Sequence, residues 1–95
     1  MSILRLISTI STIAPIAAVA IFATIKVAGI INEKLIIKNV KKRNKDAFKA
    51  LIKEKKKYAV NVGIFDEQEE NIGNIEIKSD EGVSDSLYVG QVIYI

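Results

Sequence analysis

Ninety-five residues, 49% of them hydrophobic and 26% charged, with a formal net charge of +3, allow one small domain with a modest core. The absence of Cys and His excludes disulfide frameworks, thiolate nucleophiles, Cys/His zinc sites and any imidazole general base, and most enzyme chemistry with them. A mean hydropathy of +0.25 beside so many charges means that apolar and charged residues are segregated along the chain. Residues 1–25 carry only Arg5; residues 26–57 carry twelve basic and three acidic side chains, a net of +9; residues 58–95 carry eight acidic side chains against Lys78, a net of −7.

The first element is LISTISTIAPIAAVAIFATI, Leu6 to Ile25, which is free of charge. At about 1.5 Å per helical residue it spans roughly 30 Å, the thickness of a bilayer's hydrocarbon core, and predicts a transmembrane helix over residues 1–25. Pro15 removes a backbone donor near its middle, and Ser8, Thr9, Ser11 and Thr12 supply hydroxyls for the carbonyls so freed. Two alternatives compete. A buried core helix would need more apolar cover than the polar remainder offers. A cleaved signal peptide could end at Ala18-Val19-Ala20, yet hydrophobicity continues through Phe22, Ile25, Val27, Ile30 and Ile31. Lys26, Lys34, Lys38, Lys41, Lys42, Arg43 and Lys45 follow the apolar stretch, whereas only Arg5 precedes it. The positive-inside rule therefore predicts an external N-terminus and a cytoplasmic C-terminal part.

Residues 26–57 contain strong helix formers, no proline and only Gly29 as a weak point, which predicts a continuing basic juxtamembrane helix or stalk. Ile30, Ile37, Asn44 and Leu51 fall seven apart like the a positions of a coiled coil, and form a candidate self-association seam. Glu33 and Glu54 at d positions interrupt it, so packing on the small domain or on the membrane surface is an alternative. Around Phe48, Leu51 and Ile52 the residues Lys41, Lys42, Arg43, Lys45, Lys55, Lys56 and Lys57 are candidates for contact with anionic lipid headgroups, at about 1 kcal/mol per well-placed charge. The absence of aromatic residues between the lysines, and of any base-reading arrangement, argues against a nucleic-acid partner.

From Tyr58 the pattern changes to a period of two. YAVNVGIF sets Tyr58, Val60, Val62 and Ile64 on one face; NIGNIEIK offers Ile75 and Ile77 against Glu76 and Lys78; the acidic stretches DEQEEN and SDEGVSDS separate these strands from a third, LYVGQVIYI. Residues 58–95 thus predict a small three-stranded antiparallel sheet, and the chain an α+β fold. In the last strand both faces are apolar: Leu87, Val89, Ile93 and Ile95 lie on one, Tyr88, Val92 and Tyr94 on the other. Leu87, Val89, Ile93 and Ile95 are therefore candidates for self-association by strand addition at an open edge.

The acidic turns lack the D-x-[DN]-x-[DN]-G spacing of a calcium loop, Ser84 and Ser86 have no His partner, and no glycine-rich phosphate loop occurs. No catalytic, metal or cofactor residues are assigned, and an enzyme is not expected. The layout points instead to a single-pass membrane-anchored structural or scaffold protein. Its expected partners are the lipid bilayer and either further copies of itself or another protein, met through the C-terminal β domain and the basic helix. Two alternatives fit the same layout: a subunit of an extracellular or viral filament or shell with the apolar helix buried between subunits, and a small regulator of a larger membrane protein.

Overall fold

The computed structural model describes residues 23–95. In chain order they form β1 (Ala23–Lys26), α1 (Glu33–Arg43), β2 (Lys49–Lys55), β3 (Ala59–Phe65), β4 (Asn71–Lys78) and β5 (Val92–Tyr94). The strands make one mixed sheet in the order β1-β4-β3-β2-β5, with β1 parallel to β4 and all other neighbours antiparallel.

Alternation decides which face of this sheet is covered. Val60, Val62 and Ile64 of β3 share a face with Ile75 and Ile77 of β4, Ala50 and Ile52 of β2 and Ile93 of β5, and all are buried. Helix α1 lies over that inner face and inserts Ile36 and Val40, one turn apart on its underside. Asn32 starts the helix from an extended conformation, its side-chain Oδ1 accepting from the Leu35 amide at 2.9 Å. Glu33 in the first turn and Lys41, Lys42 and Arg43 in the last oppose the helix dipole favourably. Asn32→Ala is expected to lower stability by about 1 kcal/mol, read as a shift in the urea midpoint at unchanged slope.

The long segment between β4 and β5 closes the inner core. Ile31 and Val83 form an isolated parallel bridge in which Ile31 donates to the Gly82 carbonyl and accepts from the Ser84 amide. Ser79, also buried, donates its hydroxyl to the Gly29 carbonyl at 2.6 Å and so ties the segment after β4 to the one after β1. Leu87 then drops into the core, and Lys55 Nζ donates to its carbonyl.

This architecture corrects the expected fold in four places. The sheet has five strands and is mixed, not three and antiparallel. The expected helix over 26–57 is reduced to Glu33–Arg43, because Asn44 caps it and begins a turn in which Asn44 Oδ1 accepts from the Asp46 amide and its carbonyl from Ala47. Residues beyond that turn form β2. The apolar stretch expected to be helical through Ile25 is already strand from Ala23, and no helix of the described residues is long and apolar enough to cross a membrane. Expectations for residues 1–22 lie outside the described residues. The third expected strand survives only as Val92–Tyr94, since a turn joins the Tyr88 carbonyl to the Gln91 amide through Gly90 at φ +92°.

Candidate interaction surface

Only one side of the sheet carries a helix; among the described residues no element covers the other. This outer face divides into two chemically different halves.

The half over β2, β5 and the end of β3 is apolar. Lys49 and Leu51 of β2 pair with Tyr94 and Val92 of β5, and with Phe65 and Gly63 of β3, which places Leu51, Phe65, Val92 and Tyr94 on the same side. Tyr94 is 66% exposed, Val92 45% and Phe48 41%, so the patch is open to solvent. The Phe48 and Tyr94 rings meet edge to face, 5.9 Å apart at 81°. A shallow cavity of about 210 Å³ sinks between Lys49, Leu51, Phe65, Glu69 and Val92, and the Lys49–Glu69 ion pair at 3.0 Å closes its rim.

The half over β4, β1 and the β2–β3 turn is polar. A register shift between Ile52 and Glu54 sends both Lys53 and Glu54 outward, where Lys53 reaches Asn74 Oδ1 at 3.3 Å and Glu54 accepts from Asn61 Nδ2 at 2.6 Å. The Lys53 side chain crosses the bare backbone of Gly63, where an added Cβ would meet Lys53 Cε at 2.8 Å. Glu76 is buried beside them and pairs with Lys56 at 3.4 Å. Asn61 Oδ1 is buried without a donor among the described residues.

The patch ends at the outer edge of β5, which pairs with no strand among the described residues. Ile95 donates to the Phe48 carbonyl, Ile52 to that of Gln91, and Gly90 to that of Ile52, so the Gln91 carbonyl, Ile93 and the Ile95 amide face β2. By alternation the N–H and C=O groups of Val92 and Tyr94 point away from the sheet. No proline, bulge or charged side chain protects this edge across Val92–Ile95.

The structure separates most of the residues singled out in the sequence. Of the helix seam, only Ile37 lies within α1: Ile30 is exposed in the loop before it, Asn44 is its C-terminal cap, and Leu51 belongs to β2. Leu87 and Ile93 are core residues, Ile95 packs against the core, and Val89 is exposed in the turn before β5. Leu51 alone of the eight joins the outer patch. Phe48, Phe65, Val92 and Tyr94, which complete it, were not assigned there; the signal was the apolar partner face of the last strand. Among the candidate headgroup residues, Lys41, Lys42, Arg43 and Lys45 gather at the end of α1 and the turn after it, while Lys55, Lys56 and Lys57 sit at the far end of β2, roughly 20 Å away. Lys34, Lys38 and Lys42 also line a basic groove beside Val27 and Ala28.

Among the described residues no cluster of three or more potential ligands is arranged to hold a metal ion. No protein-family model matches the chain, and neither curated proteins nor solved structures give a significant match.

Proposed function

We propose that the protein is a membrane-anchored structural subunit that associates with further copies of itself through the β5 edge and the adjoining apolar patch. The observation that carries this reading is the uncharged edge Val92–Ile95, with two outward-facing peptide units, lying beside exposed Tyr94, Val92 and Phe48. An exposed hydrophobic edge is a template for another strand, and natural domains usually blunt such edges unless they use them. The opposite edge, β1, ends in Lys26 and is less suited to the same role.

Anchoring rests on the sequence ahead of the domain. Leu6–Phe22 supplies seventeen uncharged residues, the lower end of what a spanning helix needs. The lysines that follow favour a cytoplasmic domain. Anchoring also compensates for a short edge, because copies confined to one membrane meet at a high effective concentration.

The anchoring half is tested with sealed vesicles carrying the full chain with a tag added after Ile95. The expected outcome is resistance to alkaline carbonate extraction and protection of the tag from protease in vesicles of cellular orientation. A carbonate-soluble chain would overturn the anchor, and a cleaved tag would reverse the topology and favour the filament or shell subunit.

A further inference from the structure

The polar half of the outer face contains a groove of about 750 Å³ lined by Lys26, Lys56, Lys57, Tyr58, Glu76 and Lys78, among others. We propose that this groove binds a phosphate-bearing anion. The groove shares no residue with the β5 edge. Lys26 and Lys78 are direct partners on the parallel strands β1 and β4, both on the outer face. Like charges placed side by side in a sheet repel, and hydrophobic or opposite-charge neighbours would serve the fold better.

Intramolecular carboxylates neutralise only part of this charge. Lys26 pairs with Asp80 at 3.1 Å, but both side chains are largely exposed, so the contact is weak and exchangeable. Lys56 pairs with Glu76 at 3.4 Å and reaches Glu54 at 4.0 Å. Lys78 and Lys57 have no carboxylate within 4.0 Å among the described residues; the Lys57 ammonium lies 5.4 Å from the Tyr58 ring centre. Four ammonium groups thus face three carboxylates, Asp80, Glu76 and Glu54, an excess of +1 that favours an anion.

Shape agrees with charge. Ala59 stands opposite Lys78 on β3, and its small buried side chain leaves the floor of the groove open. Tyr58, half exposed, forms a wall. Ser79 also lines the groove, but its hydroxyl is committed to the Gly29 carbonyl, so recognition falls to the lysines. Lysine serves phosphate as a mobile point charge and needs no fixed fork geometry. A free phosphate compound and a lipid headgroup share this chemistry.

The test uses the full chain in phosphatidylcholine nanodiscs, with amide shifts recorded during titration with sodium pyrophosphate against sodium chloride at matched ionic strength. The expected result is saturable shifts at Lys26, Tyr58, Ala59 and Lys78, weakened tenfold or more by Lys78→Gln. Lys78→Glu should abolish them while raising the thermal midpoint, since it turns a like-charge neighbour of Lys26 into an opposite one; a merely structural Lys78 would not give that pair of effects. If pyrophosphate is silent but nanodiscs containing phosphatidic acid produce the same Lys78-dependent shifts, the phosphate is a headgroup. Shifts that stay linear with salt, spread over the α1 lysines, or survive Lys78→Gln with both probes would overturn the proposal.

Discussion

Leu87→Ala is expected to destabilise the domain by about 2–5 kcal/mol, the range for truncating a buried leucine whose surroundings collapse only in part. Leu87 is 2% exposed and belongs to the same core as Ile36, Ile52 and Ile77. It is also the main apolar anchor of the segment between β4 and β5, and its carbonyl accepts from Lys55 Nζ. Truncation therefore loosens β5 as well as the core. Small domains hold only about 5–15 kcal/mol in total, so the variant should lose a large fraction of its stability in urea denaturation. A loss below about 1 kcal/mol would show that this segment is not anchored as described.

The second large effect separates folding from association. Proline at position 92 deletes a peptide donor that points away from β2, whereas proline at position 93 deletes one that pairs with Ala50. Val92→Pro should thus leave the melting transition within a few degrees of wild type and convert the full chain in detergent to monomer. Tyr94→Lys should do the same by placing a charge in the apolar patch. Ile93→Pro should unfold the edge and part of the core, at about 3 kcal/mol or more. Light scattering with size exclusion and circular dichroism read the two properties independently. An oligomer unchanged by Val92→Pro and Tyr94→Lys would remove the β5 edge from the assembly.

Which parts of this architecture were legible follows from how each strand is buried. β3 and β4 lie in the middle of the sheet with a clear inner face, and their alternation over Tyr58–Phe65 and Asn71–Lys78 could be read directly. β2 could not. Its inward residues Ala50 and Ile52 flank Leu51, an apolar residue that faces outward into the patch, so the period of two is blurred and the flanking lysines favour a helical reading. The turn that divides α1 from β2 was written in Asn44-Lys45-Asp46, whose side chains engage neighbouring backbone.

β1 was concealed by its surroundings. Ala23–Ile25 ends an uncharged stretch, and nothing local shows that β1 will lie beside Ile75–Lys78, some fifty residues later. Parallel pairing leaves no hairpin signal. Gly29, at φ +89° and donating to Glu81, marks the end of that segment, although in sequence it looked like a weak point in a helix. The site shows the same pattern. An open apolar edge at the last strand could be inferred from its two-sided hydrophobicity, but the assignment of faces required the register with β2, which buries Ile93 and exposes Val92 and Tyr94.

Hydrogen exchange at single amides tests self-association through β5 most directly. In the full chain held in detergent above its association midpoint, Val92 and Tyr94 are expected to exchange as slowly as Ile93, and only Val92 and Tyr94 to lose protection on dilution. Exchange of Val92 and Tyr94 at unprotected peptide rates at every concentration, with Ile93 still protected, would contradict it.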